Sequence, residues 1–277
     1  FFEKITDDNP KNIDTFIKLA DVFNEKNKFE ISESIILKGI KYYPDNSKLY
    51  TSLGNIYFSI SDYDNADKYL KKAIAINPKD KDAYLKLGML YLKLRRKNDA
   101  VAFFKKAFNN NPRNYYYCYY LGSVHLEFHE FTDSINYLEK AVSINPNYYL
   151  AFHNLGVAYR RQGDLSNAKK YFKKTLSLND QNDYAHYNLG IVYDKQGLIN
   201  ESITSYEKAL KLNPRLVQAI HNIGCIQEKL GRFEDSLISF NSALKTDNSH
   251  VISLAQKLKV ERQICLWSSY ESIQKWH

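Results

Sequence analysis

The sequence predicts an all-α solenoid, a stack of helical hairpins, and three observations predict it. The six prolines, Pro10, Pro44, Pro78, Pro112, Pro146 and Pro214, all lie whole multiples of 34 residues apart. Glycine recurs in the same register at Gly54, Gly88, Gly122, Gly156, Gly190 and Gly224. Between these markers, apolar residues are spaced by three and four, the spacing of one face of a helix. A fixed period of this length marks one supersecondary unit repeated along the chain.

With proline at position 32, the repeats begin at residues 13, 47, 81, 115, 149, 183 and 217. Positions 4, 7, 8 and 11 form the stripe of a first helix, A, and position 8 is Ala20 or one of the six glycines. Positions 20, 24 and 27 form the stripe of a second helix, B. Position 20 is small throughout: Ser32, Ala66, Ala100, Ser134, Ala168, Ser202 and Ser236. A small residue at 8 facing one at 20 predicts close approach of the two helices, with the bulky residues at 4, 11 and 24 filling the gaps beside it. Gly163, Gly197 and Gly231 stand at position 15, where a helix end accepts a left-handed residue. Proline cannot continue helix B, and its fixed φ suits the first turn of the next helix. The two slots without proline hold Asp180 and Asn248, which also suit turns.

Residues 1–12 continue the register backwards, with Phe2 at position 24 and Pro10 at position 32, and read as the end of a preceding repeat. Seven repeats fill 13–250. From 251 the register fails, since Lys257 and Leu258 replace the leucine and glycine of positions 7 and 8. Residues 251–277 still show helical apolar spacing at Val251, Leu254, Leu258, Cys265 and Trp267, which predicts a capping helix or a junction to a further domain. Because the chain opens on Phe1, it reads as cut from something longer.

Composition narrows the function classes. Hydrophobic residues make up 44% and charged ones 25%, enough for a continuous core. No apolar run approaches the roughly 20 residues of a membrane span, and no secretory leader is recognisable. The net charge is +8, but Lys outnumbers Arg 31 to 8, which reads as a solvated basic exterior rather than a nucleic-acid surface. Cys118, Cys225 and Cys265 are odd in number and lack ligand spacing, as thiols of a reducing, cytoplasmic or nucleocytoplasmic, compartment do. His125 and His129 lie one turn apart, a spacing a metal could use, yet His125 falls in the packing slot at position 11. Lys169, Lys170, Lys173 and Lys174 read as a solvated helix face. No phosphate loop, acid–base pair, metal site or cofactor motif emerges, so residues 1–277 are not expected to be an enzyme.

The pattern closely resembles the tetratricopeptide repeat family across residues 1–250, including Ala66, Ala100 and Ala168 and all six prolines. The resemblance implies a right-handed superhelix whose A helices line a groove through positions 2, 5, 6, 9, 12 and 13. Those columns give Tyr116, Tyr119 and Tyr120, then Leu150, His153 and Asn154, then Tyr184, Tyr187 and Asn188, and finally Gln218, His221 and Asn222. Aromatic and amide-rich, this surface suits an extended polypeptide of another protein. Position 6 holds Asn154, Asn188 and Asn222 in consecutive repeats, and Gln256 follows in the next register. A carboxamide offers both donor and acceptor, so each side chain has two hydrogen bonds to give to a peptide backbone. A clamp for a C-terminal carboxylate is not expected: Asn55 stands at position 9, but Thr51 holds the slot where the clamp lysine belongs.

The tail segment QICLWSSY resembles the Cys-Asp-Trp-x-x-Tyr element that follows the repeats in the O-linked N-acetylglucosamine transferase family. Cys265, Trp267 and Tyr270 match, while Leu266 stands in place of Asp. That resemblance implies repeats that present protein substrates to a C-terminal sugar-nucleotide-dependent domain, which residues 1–277 do not contain. The alternative is a stand-alone scaffold or adaptor for protein complexes, with the tail as a cap. The oligomeric state is left open.

Overall fold

A computed structural model describes residues 12–274, and side chains as far as Cys265. The reading of residues 1–11 as the end of an earlier repeat lies outside the described residues. Among the described residues there are fifteen helices and no strand. The seven A helices are α1 (Ile13–Glu25), α3 (Ser47–Ser59), α5 (Lys81–Lys93), α7 (Tyr115–Glu127), α9 (Tyr149–Gln162), α11 (Asp183–Lys195) and α13 (Val217–Lys229). The B helices are α2 (Phe29–Tyr42), α4 (Tyr63–Ile76), α6 (Lys97–Asn110), α8 (Phe131–Ile144), α10 (Leu165–Leu178), α12 (Ile199–Leu212) and α14 (Phe233–Thr246), and α15 (Val251–Gln274) ends the array. Two compact units divide the chain, the first ending at Asn145 and the second starting at Pro146. The fold class is the predicted one, an all-α repeat solenoid.

The glycine at position 8 is explained by the residue at position 24. A Cβ on Gly88 would lie 2.4 Å from the Phe104 ring, and one on Gly156 2.6 Å from Phe172. Gly54 and Gly122 meet Leu70 and Leu138 at 2.6 Å in the same way. The void left by the missing side chain is thus filled by a large residue of helix B, not by the small residue at position 20. Position 20 has another task wherever it is serine. The hydroxyls of Ser32, Ser134, Ser202 and Ser236 donate to the position 8 carbonyls of Ala20, Gly122, Gly190 and Gly224 at 2.7–3.0 Å.

The A-to-B turn is one motif used seven times. In every repeat the position 16 N–H donates to the position 11 carbonyl, from Lys28 to Phe23 through Arg232 to Gln227, at 2.7–2.9 Å. This six-to-one closure requires a left-handed residue at position 15. Gly163, Gly197 and Gly231 supply it as predicted, with φ of +95, +75 and +74°. Asn27, Ser61, Arg95 and His129 adopt φ between +56 and +63° at the same position, although they are not glycine.

The B-to-A turn differs from the sequence expectation. Pro78 does not open helix α5; it is the second residue of a turn closed by the Asp80 N–H on the Asn77 carbonyl at 2.9 Å. The Asn77 side chain accepts from the Lys79 N–H, and Asp80 then caps α5 by accepting from Asp82 and Ala83. An Asx-type turn feeding an N-cap is the reason for the proline. Asn179 and Asn213 build the same turn without and with proline.

The tail helix also packs differently from its apolar stripe. Val251, Leu254 and Leu258 are 72, 43 and 56% exposed, whereas Ser253 and Val260 are fully buried. Those two are positions 3 and 10, which elsewhere face the preceding repeat: Ala83 and Leu90 lie in clusters with Ala73 and Leu70 of α4. So α15 covers the seventh repeat as an A helix would. Its stripe is the face that a helix B covers in the other repeats, and no such helix follows among the described residues.

Two stability outcomes follow from these contacts. Gly88→Ala should destabilise the first unit by roughly 1–3 kcal/mol despite better helix propensity, since an added methyl overpacks Phe104. Combining it with Phe104→Ile, the pairing that Ala20 and Ile36 already use, should recover part of the loss in urea denaturation. Gly197 has nothing within 4 Å of a Cβ, so Gly197→Ala isolates backbone strain and should cost about 1 kcal/mol. Ser61→Gly should stabilise by a few tenths of that order, the relief of strain being offset by unfolded-state entropy.

Candidate functional site

The predicted groove residues fall into both units. In the first, Tyr116, Tyr119 and Tyr120 lie on α7. Tyr116 is exposed and its ring is 4.3 Å from that of Tyr115. Tyr120 stacks on Phe104 at 5.3 Å and 9°, so this residue helps to hold α7 against α6. The second unit brings together the columns of α9, α11 and α13. Position 5 is half-buried in all three, where His153, Tyr187 and His221 face Phe172, Tyr206 and Phe240 of the B helices at 5.5–5.8 Å. Tyr184, at position 2, is 54% exposed.

The asparagine column is placed on one face but is not wholly unengaged. Asn188 is buried, and its Nδ2 donates to the Tyr184 carbonyl one turn back at 2.8 Å. The Asn222 Nδ2 donates to the Tyr206 hydroxyl at 3.1 Å. Asn154 also has a partner within the protein. For Asn188 and Asn222 the donor is therefore committed to the fold, and what each has left to offer a peptide is its carbonyl oxygen. Two bonds per side chain, as the sequence implies, becomes one at these two sites.

A residue the sequence reading passed over stands beside this column. Arg160, at groove position 12 of α9, forms no ion pair among the described residues, and its Nε is buried with no hydrogen-bond partner. Burial holds its guanidinium below its ordinary affinity for protons, and neighbouring Arg161 adds to the effect. The Nδ1 of His153, two turns earlier on the same face, is likewise buried without a partner. A cation and a ring nitrogen held this way leave polar capacity directed at an incoming acceptor or anion. Position 12 was legible as a groove column; nothing in the spacing marks its arginine as unpaired.

His125 and His129 do not converge. His129 is the left-handed turn residue of the fourth repeat and is exposed. His125 stacks on Tyr137 at 5.4 Å and 9°. That is the slot filled by Tyr57 on Tyr69, Tyr91 on Phe103 and Tyr159 on Tyr171 in other repeats, at 5.3–5.4 Å. Its Nδ1 lies 2.7 Å from Glu130, whose carboxylate also bonds the Lys97 ammonium. Asp133 comes close to these two, but Lys97 already supplies the positive charge at that point. In the second unit Cys225 lies 3.3 Å from the His221 Nε2, and burial pushes its thiol up from the ordinary value. A raised thiol is the reverse of an activated nucleophile.

Models of the tetratricopeptide repeat match residues 47–80, 149–182 and 184–216, and further models with the same description match 69–102, 115–148 and 217–250. The matches cover well over half of the chain, which belongs to the tetratricopeptide repeat family. Its repeats form the scaffold of protein–protein interaction. A search of curated proteins returns no match.

Among solved structures, the chain is similar to one in the APC/C hetero-tetramer Cut9–Hcn1, with TM-score 0.74 and 16% identity. That match covers 93% of this chain and 51% of the other, so the chain spans about half the length of that relative. It is also similar to pilF of Pseudomonas aeruginosa, with TM-score 0.67 and 17% identity over 77% of this chain and 97% of the other. For YrrB, described as a TPR protein with an unusual peptide-binding site, the values are 0.54, 21%, 68% and 97%. At these identities the likeness is one of fold. No helix among the described residues is long and apolar enough to cross a membrane.

Burial of His153 generates a pH-dependent outcome. Desolvation first, and Arg160 second, push its imidazole from 6.5 down to about 4. The folded state therefore resists a proton that the unfolded chain accepts below pH 6.5. Stability should be constant in this respect above pH 6.5 and fall as pH drops from 6.5 to about 4, by at most about 3 kcal/mol. Comparing urea midpoints of wild type and His153→Gln across that window isolates the contribution. Parallel pH profiles would contradict it.

Proposed function

We propose that the chain binds extended polypeptide segments of other proteins, and that the second unit holds one such segment along α9, α11 and α13. The observation that carries this reading is the repeated pair of columns. An aromatic ring at position 5 and an asparagine at position 6 recur in three consecutive A helices, a spacing that matches a repeating backbone rather than one side chain. The rings limit access of water, the carboxamide oxygens accept peptide N–H groups, and Arg160 faces an acceptor on the segment. Support comes from family membership and from the fold likeness to YrrB, for which a peptide-binding site is described.

A narrower context rests on Cys265, Trp267 and Tyr270, which follow the asparagine column as in the O-linked N-acetylglucosamine transferase family. In that reading the bound segments are substrates presented to a sugar-transferring domain. Cys265 is exposed on α15, and the other two lie outside the described side chains. Encoded sequence beyond His277 with a sugar-nucleotide-binding domain would support it, and a full-length gene product without one would remove it.

The triple change Asn154→Ala, Asn188→Ala and Asn222→Ala tests the main reading. Each lost acceptor removes a hydrogen bond worth about 0.5–1.5 kcal/mol net, so several unrelated peptides should weaken alike, by roughly tenfold or more. Because Asn188 and Asn222 also bond within the fold, a modest fall in thermal stability should accompany the loss. Unchanged affinities by calorimetric titration in a chain that is still folded at the assay temperature would sink the proposal.

A further inference from the structure

The first unit contains a cavity of about 410 Å³ on its own A-helix face, bounded by α1, α3 and α5. Its walls are the groove positions of repeats one to three, which contribute none of the predicted binding residues. Charge is what distinguishes it. Asp14, Lys18 and Asp21 face it from α1, Lys48 from α3, and Asp82 and Lys86 from α5. Among the described residues, none of these six forms an ion pair or a side-chain hydrogen bond. Asp80, which also borders the cavity, is spent structurally: it caps α5 and accepts from the Thr51 hydroxyl. That bond ties down the very position where a carboxylate clamp would need a lysine.

Two wall residues are left with unmet polar capacity. Ser52 is nine-tenths buried, and its hydroxyl has no hydrogen-bond partner in the structure. Burial pushes the Lys86 ammonium below its ordinary value, with Asp21 and Asp82 opposing the shift from beyond contact distance. Burial first, then Glu25, pushes the Asp21 carboxyl up, and Lys86 opposes that. Opposite charges that feel one another across a cavity without closing on it are held apart by the helices that bear them. A ligand between them would satisfy both.

We propose that this cavity is a second recognition site, for an internal polypeptide segment that carries an acidic side chain and a basic one a few residues apart. The acidic carboxylate bonds the Lys86 ammonium and the Ser52 hydroxyl, and the basic group meets Asp21 and Asp14. A free chain terminus is a poorer fit, since a lone carboxylate leaves the three unpaired aspartates without a counter-charge. This inference rests on the reading that the repeats bind polypeptide, but it concerns a different unit and different chemistry from the asparagine column.

Twelve-residue peptides, N-acetylated and C-amidated, with one Glu and one Lys separated by one to four residues, provide the probe. Binding to residues 1–277 is measured by calorimetry alongside matched Gln-for-Glu and Gln-for-Lys peptides. At least one Glu/Lys spacing should bind about tenfold or more tightly than both controls. Lys86→Met should abolish that preference, Lys86→Arg should retain most of it, and Asp21→Asn should remove the preference for Lys alone. The Lys86 ammonium, followed by NMR, should titrate at higher pH once the peptide is bound.

Equal affinities for the charged and neutral peptides, binding that needs a free C-terminal carboxylate, or a preference unaltered in Lys86→Met would each overturn the proposal. The triple alanine change in α9, α11 and α13 should leave this charge preference intact. Loss of the preference in that variant would likewise count against a separate site, so the two readings fail separately.

Discussion

Each repeat depends on how closely its two helices approach, and that distance is set by one missing methyl group. A side chain at position 8 would occupy the space that the ring or branched chain at position 24 fills, at under 3 Å in six repeats. Removing the Cβ lets a residue as large as Phe104, Phe172 or Tyr206 lie flat on the backbone of helix A and be almost wholly buried. Burying a side chain of that size is worth a few kcal/mol, more than glycine loses in helix propensity. The serine hydroxyls at position 20 then reach the position 8 carbonyl only because the helices are this close. In the first repeat, Ala20 works with the smaller Ile36, so the pair of positions, not glycine as such, is what is maintained.

Once that contact fixes the hairpin, the other features of the repeat are consequences of joining hairpins in register. The left-handed residue at position 15 closes helix A by a backbone bond, and the chain accepts Arg95 or His129 there because the closure is backbone chemistry. The proline turn places an Asx residue two positions before the cap of the next helix. Positions 3 and 10 then meet the preceding helix B. Almost every buried residue in the array belongs to one of these tasks, and the remaining positions face solvent or the groove.

The period, the helix stripes and the turn glycines were legible because they repeat, and repetition separates a structural column from a coincidence. The stacking of position 11 on position 23 was half legible: the first ring was noticed, its partner was not, since Tyr69, Phe103, Tyr137 and Tyr171 alternate between two aromatic types. The tail showed an apolar stripe, but which face of α15 packs depends on the absence of a following helix B, and that is not a property of the stripe. For the candidate site, the columns could be read and the state of each side chain could not. Whether Asn188 spends its donor on Tyr184, or whether Lys86 finds a counter-ion, is decided by distances of a few ångströms between helices far apart in sequence.

A scaffold this repetitive limits where specificity can reside. Packing positions must stay small, large or left-handed in every unit, so variation is confined to columns 2, 5, 6, 9 and 12. The two units vary those columns in different directions. The second fills them with rings and carboxamides, which hold a backbone with little regard to its side chains, and Arg160 supplies a single cation. The first fills them with lysine and aspartate in near balance, which reads charge and is indifferent to backbone. A surface that grips main chain gives affinity without choice, and one that reads charge gives choice at modest affinity, because exposed ion pairs contribute little unless water is excluded. The depth of Lys86 and Ser52 matters for that reason: a charge read inside a cavity discriminates where the same charge on an open helix face would be screened.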